Sequence, residues 1–293
     1  MRWRIALALL ILPWFVFVLA ASGPARPAAE PPAHFYFVQV SDTHFGTGDH
    51  AARTRRVVAA INNLPFAIEC VVHTGDITSD DIGDPRTLGV ATSVLSGIRV
   101  PAHYLPGNHD VRRRALKATL GVYTNAFGPL CGRAEHGGVV FLFLWDEPLR
   151  RGFAVKGYDP LAWLESELRA AGGRPAIVLL HSPPVEDFYG DRIRPGWPPE
   201  NRARFTRIVN AAGVKAVIAG HFHRDELHWL GRVPLYVCSA VAGYWGRQGS
   251  FRIYEYSDGR LSYRTVYLEP QAGSGMNPAA GDGGDKEGGD GGG

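Results

Sequence analysis

The chain has 293 residues, 45% of them hydrophobic and 20% charged, with a formal net charge of +3. That balance excludes a wholly disordered chain, and so small a charge argues against a protein held electrostatically to nucleic acid or an anionic membrane. Three cysteines without a Cys-x-x-Cys spacing argue against a zinc–thiolate site.

Residues 1–25 read as a targeting segment. Arg2 and Arg4 precede an uncharged, largely apolar run from 5 to 20, and Val18-Leu19-Ala20 offers a cleavage site. That run is short for a membrane span, which needs roughly 17–25 residues. A cleaved signal peptide is therefore the first reading and an uncleaved N-terminal anchor the second. Either exports the body to a periplasmic or extracellular location. Residues 26–33 read as a Pro/Ala-rich linker, 34–270 as one domain, and 271–293 as a disordered Gly/Asp-rich tail.

Within the domain, 35–40 is a nearly continuous apolar run and reads as a buried strand. Apolar residues at helical spacing predict helices over 53–64 and 87–98, with strands at 70–73 and 100–105 around them. No clear periodicity marks 111–138, which reads as an irregular insertion. A strongly apolar strand follows at 139–145. Asp159-Pro160 supplies an N-cap and a first-turn proline for a helix carrying Leu161, Leu164 and Leu168. A strand at 176–180, a helix at 200–212 and a strand at 214–219 come next. Strands at 235–238, 251–256 and 261–268 close the domain, the last two around an Asp258-Gly259 hairpin turn. Cys70 and Cys238 lie in apolar runs and read as small buried hydrophobes. One disulfide is compatible with three cysteines, but the sequence selects no pair. The pattern is α/β with a β-rich end: two mixed β-sheets packed face to face with flanking helices.

Five strand ends carry polar clusters: Ser41-Asp42-Thr43-His44, Thr74-Gly75-Asp76, Gly107-Asn108-His109-Asp110, His181-Ser182 and Gly220-His221-Phe222-His223. Strand ends of an open α/β sheet form the ligand crevice. Asp42 and His44 are two apart, as are His221 and His223, so on extended backbone each pair points to one side. Asp42, His44, Asp76, Asn108, His181, His221 and His223 give seven nitrogen and oxygen ligands without a thiolate, which suits Mn, Fe, Zn or Ni. Seven is too many for one such ion and natural for two sharing a carboxylate. Two divalent ions against two carboxylates leave a positive site that attracts phosphate and favours a bridging hydroxide nucleophile. His109 is placed to protonate a leaving alkoxide. Taken singly each residue has a structural reading, as a loop cap or turn. His73 reads as structural, and His34, His50, His103, His136 and His228 as structural or surface. The loop 185–199, with Tyr189, Arg192, Arg194 and Trp197, reads equally as a substrate lid or an exposed loop. Arg112, Arg113 and Arg114 read as a solvated basic turn.

In this order, Asp42-x-His44, Gly75-Asp76, Gly107-Asn108-His109-Asp110, His181 and Gly220-His221-x-His223 resemble the calcineurin-like metallophosphoesterase superfamily over residues 34–268. The terminal Gly-His-x-His and the small size look most like its bacterial cyclic-nucleotide phosphodiesterase-like branch. The resemblance implies a four-layer αββα sandwich and two divalent transition-metal ions, Mn or Fe first and Zn second. It would place Asp42, His44, Asp76 and His223 on the first ion, and Asp76, Asn108, His181 and His221 on the second. His109 would face substrate and Asp110 would orient it. Purple acid phosphatases carry a Tyr three residues after the bridging Asp; Ser79 stands there, so no Fe(III)–tyrosinate centre is expected. The implied activity is hydrolysis of a small phosphoester, a diester first. The alternatives are a phosphomonoesterase or nucleotidase on the same site, or a non-catalytic module on the same fold. Nucleic acid is not an expected partner, and a membrane only through an uncleaved anchor. Oligomeric state is not legible.

Overall fold

The computed structural model describes residues 34–269. The expected leader, linker and Gly/Asp-rich tail lie outside the described residues. In chain order the elements are β1 (His34–Val40), α1 (His50–Asn62), β2 (Val71–His73), α2 (Pro85–Leu95) and β3 (Ala102–Tyr104). A short 3₁₀ turn (Arg113–Ala115) leads to α3 (Leu116–Phe127), β4 (Gly132–His136), β5 (Val139–Phe143), α4 (Glu147–Arg151) and α5 (Pro160–Ala170). Then come β6 (Ala176–Leu179), α6 (Pro199–Ala211), β7 (Ala216–Ala219), β8 (Glu226–Leu230), β9 (Val233–Val237), β10 (Ser250–Ser257) and β11 (Arg260–Tyr267).

The strands form two mixed sheets, ordered β11-β10-β1-β2-β3 and β4-β5-β6-β7-β9-β8. Both centres are parallel, β1 with β2 and β3 in one sheet, β5 with β6, β7 and β9 in the other. Alternation along the strands explains the layers. Phe35 and Phe37 of β1 meet Val139, Phe141 and Phe143 of β5, with Tyr254 and Tyr256 of β10, in the core between the sheets. The intervening Val140 and Leu142 face outward onto Leu161, Leu164 and Leu168 of α5 and Phe205 and Val209 of α6. On the opposite outer face Val38 and Val40 pack on Val57 and Ile61 of α1. Strands covered on both faces need continuous apolar runs, which is why β5 is buried at every position. The Asp84 carboxylate caps α2 through the amides of Arg86 and Thr87, and Asp159 caps α5; such a cap stabilises by about 1 kcal/mol. Asp258 and Gly259 both take positive φ, as a two-residue turn between β10 and β11 requires.

One expectation is corrected and two elements were missed. Residues 111–138 are not irregular: they form α3 and β4. Leu116, Leu120, Tyr123 and Phe127 do recur at helical spacing and pack into the cluster around Phe45 and Trp145, but Gly121 and two threonines dilute the signal. β8 has only Leu230 buried; an exposed edge strand carries no apolar run to detect. The short α4 was missed because its five residues carry no readable helical period. The three cysteines are free.

Candidate dinuclear metal centre

All five clusters fall beyond strand ends and meet in one place. The loop after β1 runs beside the loop after β2: Asp42 N donates to Gly75 O, His44 N to Asp76 O and Phe45 N to Ile77 O. Val241 N and Ala242 N donate to Ser41 O and Asp42 O, and Gly220 N to His181 O. The loops thus continue the sheets' pairing and fix the side chains to one another.

The backbone here is not extended. Asp42, His44, Asp76, His221 and His223, five of the seven candidate ligands, have φ between 46° and 69°. This corrects the expectation that residue pairs converge by strand alternation. Both members of each pair sit in left-handed turns past the strand, which swing the side chains inward. Such a conformation costs about 1–3 kcal/mol at each non-glycine residue and clusters at functional sites. Two glycines permit the close approach. A Cβ at Gly107 would stand 2.1 Å from Asp76 Oδ1, and one at Gly220 would stand 2.0 Å from Ser41 Oγ.

Two groups result. One ligand atom from each of Asp42, His44, Asp76 and His223 lies within 4.8 Å of the others, and so do atoms of Asp76, His181 and His221. Asp76 belongs to both. Its Oδ2 is 3.8 Å from His44 Nε2 and 3.0 Å from His181 Nε2. His223 Nε2 lies 3.2 Å from Asp42 Oδ1 and 3.2 Å from His44 Nε2. On the other side His181 Nε2 is 3.1 Å from Asn108 Oδ1 and 3.2 Å from His221 Nδ1. All seven residues are therefore brought together. His109 approaches with Nε2 4.0 Å from Asp76 Oδ2.

These residues fit a metal pair. Asp42 is wholly buried, and its Oδ1, 3.2 Å from His223 Nε2, makes no well-aligned hydrogen bond; a buried carboxylate oxygen so placed is costly unless a cation meets it. Its Oδ2 accepts from His221 N and Ser41 Oγ. His181 Nδ1 lies 2.8 Å from Thr74 O, so Nδ1–H donates there and directs Nε2 at Asp76, the usual orientation of a metal-binding imidazole. Burial pushes His44 and His221 well below the ordinary histidine range, favouring the neutral form that binds metals. Burial would lower His181 too, but Asp76, Asp42 and Asp146 push it up to about 10: the field at that point stabilises positive charge. Burial would raise Asp76, yet His181 and His109 hold it well below the usual carboxylate range.

Asp110 does not orient His109. Its carboxylate accepts from the amides of Gly107, Ile77 and Thr78 and from the Thr78 hydroxyl, clasping the loop of Asn108 to the loop of Asp76. Burial and the Asp76 charge push it up to about 6. The carboxylate at His109 is Asp80, whose Oδ1 lies 3.1 Å from His109 Nδ1. Arg112 reaches the same oxygen at 3.7 Å, so the basic turn is engaged here. Ser79 donates its hydroxyl to His44 O.

Sequence reasoning missed four other contributors, Asp146, Phe188, Tyr244 and Trp245. Asp146, buried after β5, accepts from the amides of His181 and Ser182 and sets that loop. Tyr244 stacks on His223 with ring centroids 4.7 Å apart, and Trp245 lies 5.2 Å from the same ring; the aromatic pair between Gly243 and Gly246 was its only trace. Phe188 abuts His221 at 4.8 Å, and Tyr189 lies 6.2 Å from Trp245. The loop 185–199 thus lines the site at one end, while Trp197 is buried and donates its indole N–H to Ser182 O. His73 is held by Thr43 Oγ1 and Gly75 N behind the loops, a structural position.

The calcineurin-like phosphoesterase family model matches residues 35–225. A probable cyclic nucleotide phosphodiesterase from Rhodopseudomonas palustris is 32% identical over 221 residues, covering 70% of this chain and 78% of that protein. A glycerophosphodiester phosphodiesterase from Enterobacter lignolyticus is 29% identical over 165 residues, covering 50% of this chain and only 56% of that protein. Among solved structures, a dimetal phosphatase from Danio rerio aligns over 81% of this chain and 100% of its own with a TM-score of 0.57 at 14% identity. A purple acid phosphatase from yellow lupin aligns over 80% and 53%, with a TM-score of 0.61 at 15% identity. These structures share the two-sheet fold.

Proposed function

The chain belongs to the calcineurin-like phosphoesterase family, a family of metal-dependent phosphoester hydrolases, and from that premise we propose that it is an exported phosphodiesterase acting on a small substrate. The observation that carries this reading is the single carboxylate of Asp76, set between the imidazoles of His44 and His181. It divides the seven ligands into two sets that share one residue. In this reading Asp42, His44, Asp76 and His223 hold one ion, and Asp76, Asn108, His181 and His221 the other. The donor set suits Mn or Fe, with Zn second. When bound, the ions supply Lewis-acid charge for the phosphoryl oxygens and an acidified water as nucleophile.

The protein's own groups do the rest. His109 Nε2 faces the phosphoryl position and hands a proton to the leaving alkoxide. Asp80 holds the other ring nitrogen and keeps that proton on the correct side. Asn108 is a neutral ligand, so the site retains net positive charge for an anionic ester. Tyr244, Trp245, Phe188 and Tyr189 wall the approach and exclude water from one side of the substrate. Relatives named for cyclic nucleotides and for glycerophosphodiesters support a diester substrate. The charged start and apolar run of the first 25 residues support export.

The test is a Mn-replete panel of cyclic nucleotides, glycerophosphodiesters, an aryl phosphodiester and phosphomonoesters, run on wild type and Asp76→Asn. Higher kcat/KM on diesters, lost in the variant, is expected. Preference for monoesters overturns the diesterase reading; full activity in Asp76→Asn overturns the mechanism.

A further inference from the structure

Outside this centre the described residues hold one further group of metal-ligating side chains, Cys70, His103 and His136. One ligand atom of each lies within 4.8 Å of the other two. The three come from separate strands. Cys70 immediately precedes β2, His103 is the middle residue of β3, and His136 ends β4. Val72 pairs with His103 across β2 and β3, and Cys70, two residues before Val72, lies on the same face, toward the core between the sheets. β3 is the edge of one sheet and β4 the edge of the other. The group therefore spans the gap between the two sheets at their shared open edge, with Cys70 six residues upstream of Asp76 and at the opposite end of β2 from the dinuclear centre.

The geometry is that of ligands facing a common point. His103 Nε2 and His136 Nε2 are 2.9 Å apart. The two rings meet edge to face at 5.1 Å, and each is braced by an aromatic of β5, His103 by Phe143 and His136 by Phe141. Cys70 is wholly buried and both histidines are partly exposed, so the sulfur is fixed inside while the ring side opens to water. Burial lowers both histidines, which keeps them neutral, and pushes the Cys70 thiol up to about 12, so the thiol holds its proton until a cation takes its place.

We propose that Cys70, His103 and His136 form a third metal site, a Zn²⁺ site with one thiolate, two imidazoles and a solvent-facing fourth position. Thiolate with imidazole is a donor set for zinc, unlike the oxygen- and nitrogen-only set of the catalytic pair. Binding breaks the Cys70 S–H bond, forms a Zn–S bond and releases the proton to solvent, so affinity rises with pH. The absence of a Cys-x-x-Cys spacing does not bear on such a site, because each ligand comes from a different strand. Its consequence is a clamp between sheet edges that are otherwise joined by packing and the His103–His136 contact.

Cobalt(II) substitution of the full chain separates this site from the catalytic one. Thiolate-to-cobalt charge transfer gives a near-ultraviolet band that a centre without cysteine cannot produce. The expected result is such a band in wild type, undiminished in Asp76→Asn, absent in Cys70→Ala and weakened at least severalfold in His136→Gln. Zinc-loaded wild type should carry one more equivalent than Cys70→Ala. Both Cys70→Ala and His136→Gln should keep phosphoesterase turnover, which also reports that they fold. No band in wild type, or a band that survives in both variants, overturns the proposal; the imidazoles then share an N–H···N hydrogen bond and nothing more.

Discussion

His109 Nδ1 lies 3.1 Å from Asp80 Oδ1, while its Nε2 points back toward Asp76 Oδ2 at 4.0 Å. The ring is thus suspended between a half-exposed carboxylate and the shared carboxylate of the metal centre. In the proposed mechanism Asp80 would fix which nitrogen carries the proton that faces substrate. Asp80→Asn should lower kcat/KM about tenfold or more on a diester with a poor alkoxide leaving group. An aryl leaving group needs less protonation and should show a smaller loss. Equal losses on both substrates would remove the proton-delivery role.

Asp76→Asn removes the shared ligand's negative charge at both positions. Metal content after purification without chelator should fall from about two transition-metal equivalents per chain toward zero, counting only the band-free metal of a Cys70→Ala background. A variant that retains both ions with full turnover would contradict the shared-carboxylate geometry.

Gly107→Ala tests close approach rather than chemistry. Its Cβ would stand 2.1 Å from Asp76 Oδ1 and 2.3 Å from Asp76 N, so backbone must move and Asp76 must turn. The expected outcome is loss of metal and of most activity with little change in far-ultraviolet circular dichroism. Wild-type metal content in this variant would show that the loop has slack that its geometry does not suggest.

The five left-handed non-glycine ligands make metal and stability interdependent. A ligand at about a hundred times its Kd stabilises by about 2.7 kcal/mol per site, worth about 5 °C or more in Tm for a domain of this size. Chelation should lower Tm by that much, and Mn²⁺ should restore it. An unchanged Tm would mean that the strain at Asp42, His44, Asp76, His221 and His223 is held entirely by the loop hydrogen bonds.

Trp245 is about half exposed and packs on the His223 ring beside Tyr244. Trp245→Ala should raise KM for a nucleotide or aryl diester about tenfold, since an aromatic pair is worth about 0.5–1.5 kcal/mol beyond its buried area. kcat should change little, and KM for a glycerophosphodiester should not move. A uniform rise in KM for all substrates would make Trp245 a support for His223 instead of a contact for the substrate.

The sequence by itself determined the strands of both sheet centres, because doubly covered parallel strands demand apolar runs such as 139–143. It determined the helix whose cap is written in short code, at Asp159-Pro160. It also singled out the seven side chains that the structure brings together, since their residue types cluster just past those strands. Elements whose burial is one-sided or thin, α3, β4 and β8, left too weak a pattern to read. Only the tertiary structure decided how the ligands converge: left-handed turns at Asp42, His44, Asp76, His221 and His223, a backbone state that side-chain identity does not encode. Only it decided that Asp80 and not Asp110 serves His109, because loop pairing, not sequence adjacency, sets that neighbour. And only it joined Cys70, His103 and His136, which lie 33 residues or more apart and meet because two sheet edges face each other.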